Sequence, residues 1–194
     1  TFTGAANHAG ATPMDQRHDA MLAAAKFTVA VNDAIRSEPG RQVATVGRLV
    51  VTPNTINVIP AQVVLTVDLR DLDPATLVRF ANRFDRVGHE IADATGTTVS
   101  FRELVSSAPA LADARVMKWI DDSAVGLGLT RRRMPSGAGH DAQEISRIAP
   151  MGMIFVPSVA GISHAPREFT RPADVANGAD VLLHAVIAAD AALP

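Results

Sequence analysis

The sequence contains no cysteine. That excludes a disulfide framework, a thiolate metal site and a cysteine nucleophile, and it fits a cytoplasmic protein. There is no tyrosine, a single tryptophan, and only 4% aromatic residues among 194, too few for a platform on which nucleic-acid bases stack. No excess of one charge is present either: the net charge is −2, and the basic run Arg131-Arg-Arg133 is short enough to read as a solvated edge. Apolar runs stay well below a bilayer span, and no charged-then-apolar segment opens the chain. Neither nucleic acid nor a membrane is expected as a partner. The Gly-x-Ser-x-Gly nucleophile turn is absent, and no Ser-His-Asp triad assembles from the spacing.

What is present supports a packed core, with 47% hydrophobic residues. The first segment, Thr1–Thr12, is short and Gly/Ala-rich and carries His8. Pro13 suits a first helical turn, and Ala20, Ala24, Phe27, Val31 and Ile35 recur at helical spacing until Pro39-Gly40. Val43–Val51 alternates as a strand, and Thr52–Thr55 reads as a turn. Ile56–Ile59 and Val63–Arg70 read as extended, with Val63, Leu65, Val67 and Leu69 on one face. Leu77, Phe80, Phe84, Val87 and Ile91 mark a second helix closed near Gly96, and Thr97–Val105 reads as a further strand. This order of strand, helix, two strands, helix and strand predicts a ferredoxin-like split βαβ domain.

The texture changes near residue 110. A helix over Ala110–Leu127, a short strand at Arg131–Met134, a Gly-rich loop at Pro135–Gly139 and a helix near His140–Ile148 follow. Met151–Val156 reads as a fully buried strand and Asp174–Ala192 as a closing helix. Such alternation predicts an α/β layer with parallel strands, the tail of a larger sheet.

Several residues have chemical potential. His164 sits in a Gly/Ser/Pro loop after an apolar segment, with Glu168 four residues on; it reads as a metal ligand or as a loop histidine bonding its own turn. His8, among small neighbours, can donate to a developing oxyanion or simply lead into a helix. Arg70 closes an alternating strand, suited to a bidentate carboxylate or to a pair with Asp68 or Asp71. Asn57 can donate its amide to the same carboxylate or close an Asx-type turn. In Ser136–Gly139 the backbone N–H groups suit an anion, while His140 and Asp141 read either as a catalytic pair or as a loop-orienting histidine beside an aspartate that stabilises the following helix start.

In order, these motifs form a set: Gly4-Ala-Ala-Asn-His-Ala-Gly-Ala-Thr-Pro-Met14 with Arg17-His-Asp-Ala20; Asn57-Val-Ile-Pro60 with Leu65–Arg70; Pro135–Gln143; Pro150–Ser158; and Gly161–Glu168. The set resembles the N-carbamoyl-L-amino-acid hydrolase, allantoate amidohydrolase and β-ureidopropionase group of the M20 metallopeptidase-like enzymes. Ala11 and Ala61 depart from the group's usual Thr and Gly. The resemblance implies a lid and dimerisation domain over residues 1–110 and the C-terminal part of an α/β catalytic domain over 111–194. It implies two divalent metal ions, zinc foremost, with manganese, cobalt or nickel in some members. It implies a homodimer through the lid and a small ureido acid bearing a carboxylate as substrate. Within it, His164 matches the final metal ligand and His8 a lid histidine that polarises the scissile carbonyl across the dimer. Asn57 and Arg70 match lid residues that hold the substrate carboxylate, and Gly137 and Gly139 match the loop lining the substrate end. The group's first His-x-Asp segment, bridging Asp, paired Glu residues and second metal His precede the lid and are absent here. The chain also opens at Thr1-Phe-Thr without Met, as a fragment, a processed product or an imposed boundary would. The expectation is an amidohydrolase piece that is inactive alone; a non-catalytic dimerisation module and an M20 peptidase or deacylase are the alternatives.

Overall fold

The computed structural model describes residues 1–192. The chain divides into two compact units, Thr1–Pro109 and Ala110–Pro194.

The first unit is a four-stranded antiparallel sheet in the order β2-β3-β1-β4, built from β1 (Phe2–Thr3), β2 (Val43–Thr52), β3 (Gln62–Arg70) and β4 (Thr98–Val99), with helices α1 (Ala20–Arg36) and α2 (Pro74–Thr95) between them. This is the split βαβ arrangement expected from the order of elements. α1 starts where Asp19 accepts the N–H groups of Met21 and Leu22 at 2.9 and 3.1 Å, which satisfies two donors that the first turn cannot pair internally. Pro13 lies outside it and leads only into a single 3-10 turn, Met14–Gln16. Ala20, Ala23, Ala24, Phe27, Val31 and Ala34 bury one stripe of α1. α2 has Asp73 as its cap, Pro74 in its first turn and Gly96 in the left-handed conformation (φ 63°) at its end. Its buried stripe is Phe80, Phe84, Gly88 and Ala92, a strict four-residue period. The two stripes close over Phe2 and Val63, which face each other across β1 and β3. Along β3, Val63 is buried and Leu65, Val67 and Leu69 pack against this core, while Val64, Asp68 and Arg70 point to the open face.

Two strands expected in this unit are shorter or absent. Ile56–Ile59 forms no strand: a single bridge joins Val58 to His8, Ile56 is fully exposed, and Pro60 has no N–H to extend a ladder. The strand expected over Thr97–Val105 stops at Val99, because β1 offers only two residues to pair with. Beyond it, Phe101 lays its ring edge-on to Phe27 at 5.8 Å and over Gly88, where a Cβ would lie 2.5 Å from the ring.

The second unit contains α3 (Ala114–Gly126), the short α4 (Asp141–Ile145) and α5 (Pro172–Ala192). α3 packs against α5, with Ala124, Val181 and Ala185 buried. Among the described residues this unit has no strand, so the expected parallel layer is not formed within it. A strand exists only through a ladder partner, and neither Arg131–Met134 nor Met151–Val156 has one. Arg131 and Arg133 instead hold Asp121 on α3. The 151–156 segment runs over the helices: Asp113 N–H donates to the Met151 carbonyl at 2.8 Å, Gly152 fits against Val116, and Val156 against Gly178. Phe155 and Val156 remain substantially exposed rather than buried. α5 is the one helix among the described residues that is long and apolar enough to cross a membrane by length and composition alone, with a mean hydropathy of 1.3 over 18 residues. Asp180, His184 and Asp190 interrupt it, so its continuous apolar runs stay short, as expected.

Candidate functional site

His8 and Asn57 are 49 positions apart, yet one backbone ladder joins them. Past the last β1–β3 pair, Thr3 with Gln62, the two chains keep pairing irregularly. Gly4 N–H donates to Ala61 (2.7 Å), Ile59 N–H to Asn7 (2.8 Å) and Ala9 N–H to Asn57 (2.9 Å). Both side chains are exposed beyond the end of the sheet. The segment before His8 needs small residues, since a Cβ on Gly4 would lie 1.9 Å from the His18 carbonyl oxygen.

His8 is oriented by its own turn. Its Nδ1 accepts the Gly10 N–H at 3.0 Å, and Asn7 Oδ1 accepts the His8 N–H at 2.8 Å. The His8 carbonyl accepts from the Thr12 N–H (3.1 Å) and the Thr12 hydroxyl (2.8 Å). With Nδ1 taken as an acceptor, the neutral ring carries its proton on Nε2.

Arg70 is not part of this cluster. It closes β3 opposite Val43, eight residue steps from Gln62, or about 26 Å at the rise of a strand. Its guanidinium forks onto Asp68, Nε to Oδ1 at 2.9 Å and Nη2 to Oδ2 at 2.7 Å, so the structural pairing weighed from sequence is realised. That hydrogen bond holds the Asp68 carboxyl below its ordinary value and raises the Arg70 guanidinium. Both side chains are about half exposed, and an ion pair in that setting contributes about 0–1 kcal/mol. Within one protomer, Asn57 and Arg70 cannot grip the same small carboxylate.

The remaining residues lie in the second unit. A side chain at Gly137 or Gly139 would meet open space, and Ser136 Oγ donates to the Ala138 carbonyl at 2.9 Å. His140, rather than Asp141, caps α4: its Nδ1 accepts the Ala142 N–H at 3.0 Å, while Asp141 is the first helical residue. His164 is exposed and left-handed (φ 56°), a conformation that costs a non-glycine residue of order 1 kcal/mol. The Glu168 carboxylate holds it there, accepting the His164 N–H at 2.8 Å. No group of three metal-ligating side chains occurs among the described residues, so these residues by themselves do not make a metal centre. A shallow cleft between α3 and α5, bounded by Trp119, Asp122, Leu127 and His184, holds none of the residues singled out from sequence.

A profile of the peptidase family M20/M25/M40 matches residues 4–188. The chain belongs to that family. Among relatives of this M20 chain, the ureidoglycolate hydrolase of Arabidopsis thaliana is 40% identical over 93% of the chain and 38% of its own length. The N-carbamoyl-L-amino acid amidohydrolase of Geobacillus stearothermophilus is 39% identical over 96% of the chain and 45% of its own. A solved amidase of the hydantoinase/carbamoylase family from Burkholderia vietnamiensis superposes with a TM-score of 0.93 at 38% identity, covering 96% of this chain and 45% of that one. The M20 chain thus spans less than half the length of these relatives. Arg17 and Thr12, which brace the His8 turn, were visible in sequence only as motif members. Their geometric signal is a buried threonine and an arginine flanking a small-residue turn.

Proposed function

We propose that this chain provides the substrate-holding lid and one metal ligand of an M20 amidohydrolase that adds water across the carbamoyl carbon of an N-carbamoyl-L-amino acid or related ureido acid and breaks its C–N bond. Residues 1–110 are the lid and 111–194 part of the catalytic domain. The observation that carries this reading is the pairing of His8 with Asn57 on one exposed sheet end, in a chain whose relatives carry carbamoyl and ureido hydrolase names.

In this reading the Nε2–H of His8 donates to the oxygen on which charge develops as the carbonyl is attacked, a donor aimed at the transition state rather than the ground state. Asn57 donates its side-chain amide to the substrate. Arg70 exchanges Asp68 for the substrate carboxylate and receives it bidentately. Gly137 and Gly139 leave room for the substrate to lie against backbone. His164 is one ligand of a pair of divalent ions, zinc foremost and manganese, cobalt or nickel in its place, which polarise the carbonyl and lower the pKa of the attacking water when bound. The other ligands come from protein beyond these residues.

The lid acts as a homodimer. Because His8 and Asn57 lie at one end of the β1–β3 ladder and Arg70 at the other, a two-fold pairing of lids brings opposite ends to one substrate. The ten-residue β2 at the sheet edge is available for such pairing. That same edge also favours a purely non-catalytic pairing module, which differs in having no use for His8. The experiment that separates them is Arg70→Ala in the full-length protein: KM for carboxylate-bearing ureido acids rises with kcat nearly kept. An unchanged KM removes Arg70 from the substrate.

A further inference from the structure

We propose that Arg17 is the positioning residue of His8, and that the turn it closes presents the imidazole outward as a hydrogen-bond donor and not as a base. The inference deepens the reading of His8 given above and rests on it for its catalytic consequence, though not for its geometry.

Arg17 lies partly buried, nine residues after His8. Its Nε and Nη2 donate to the Thr12 carbonyl at 3.1 and 2.9 Å, and Nη2 also donates to the Ala9 carbonyl at 2.5 Å. One planar cation therefore ties the Ala9–Gly10 peptide to the Thr12–Pro13 peptide across the turn. Gly10 supplies the N–H that holds His8 Nδ1, and a side chain there would press to 3.3 Å from His8 Cε1. The Thr12 hydroxyl and N–H close the same turn onto the His8 carbonyl, and Thr12 is buried. Ala9 in turn carries the N–H that reaches Asn57. The planar fork thus ties the ring orientation of His8 and the contact to Asn57 into one unit. A lysine, a point charge on a flexible stem, cannot bridge two carbonyls with the same fixed geometry.

With Nδ1 occupied as an acceptor, only Nε2–H faces out. Removing Arg17 frees the Ala9 and Thr12 carbonyls to solvent, lets the Gly10 peptide rotate and releases Nδ1. The imidazole then samples other rotamers and loses its aim, for which displacement of about 1 Å costs up to ~100-fold in rate.

Two measurements test this. In the 15N-labelled chain, the Gly10 N–H to His8 Nδ1 hydrogen bond gives a through-bond nitrogen–nitrogen coupling; it is expected in the wild type, weakened in Arg17→Lys and lost in Arg17→Ala. In the full-length protein, Arg17→Ala is expected to lower kcat by roughly 10- to 100-fold with KM nearly unchanged, and to add nothing to His8→Ala in the double variant, with Arg17→Lys intermediate. A wild type without the coupling, an Arg17→Lys protein indistinguishable from wild type in coupling and kcat, or fully additive losses in the double variant would overturn the proposal. If Arg17→Ala does not fold, the Lys variant decides alone. If the coupling behaves as expected but His8→Ala keeps its kcat, the catalytic reading of His8 fails while the positioning by Arg17 stands.

Discussion

Gly4 has no room for a side chain: a methyl group there collides with the His18 backbone. Its N–H also starts the irregular ladder that carries His8 to Asn57. Gly4→Ala is therefore expected to lower stability by about 1–3 kcal/mol, the usual cost of forcing atoms into packed space; a urea midpoint equal to wild type would show that the His18 turn yields freely. The residue types at His8, Asn57 and Arg70 were readable in sequence, and so was the chemistry each can perform. Their grouping was not. His8 and Asn57 meet through a ladder between segments 49 positions apart, whereas Arg70, only 13 positions after Asn57, closes the far end of the extended β3 that begins shortly after Asn57. Proximity along the chain misleads when the intervening residues are straight. Which partner His140 would choose was equally hidden, since a histidine and an aspartate side by side can each cap a helix.

At the level of elements, α1 and α2 follow from their periodicity and caps. Phe27 is fully buried between Phe2 and Phe101, so Phe27→Ala is expected to cost about 3–5 kcal/mol. Asp19→Ala, which strips two N–H groups of their acceptor, is expected to cost about 1 kcal/mol. Chemical denaturation of the two variants checks that order. The α2 and α3 caps add a pH dependence. Asp73 is held below its ordinary value by the Thr76 hydroxyl and then the Ala75 N–H, and Asp113 by the Arg115 side chain and then backbone N–H groups. A carboxyl depressed in the folded state stabilises fully above its unfolded value of about 3.9 and loses that contribution as pH falls through the folded value. Asp73→Asn keeps a capping oxygen and cannot titrate, so its melting temperature is expected to fall less steeply than wild type on acidification below about pH 4; parallel curves would contradict the linkage. The strands of the second unit failed to appear for a different reason. Alternation and β-branching measure fitness for a pleated surface, but a ladder needs a partner, and Met151–Val156 has none among the described residues.

The whole molecule comprises a sheet unit and a helical unit, and the apolar surface of the helical unit is only partly used. Leu182, Leu183, Val186 and Ile187 on α5 stay more than half exposed, as do few residues of a finished core. The chain spans less than half the length of its M20 relatives, and among the described residues no group of three metal-ligating side chains surrounds the left-handed His164. The central claim is that His8 of this lid serves a metal-dependent hydrolysis of ureido acids. The most direct test is ammonia release by the full-length protein, loaded with zinc or manganese, from N-carbamoyl-L-amino acids, allantoate and β-ureidopropionate, with wild type and His8→Ala compared side by side. The account predicts turnover of at least one of the three by wild type, abolished by a chelator, and a kcat roughly 100- to 1,000-fold lower in His8→Ala, the usual loss for one oxyanion donor. Absence of turnover on all three by the loaded protein, or a His8→Ala variant as fast as wild type, would contradict it.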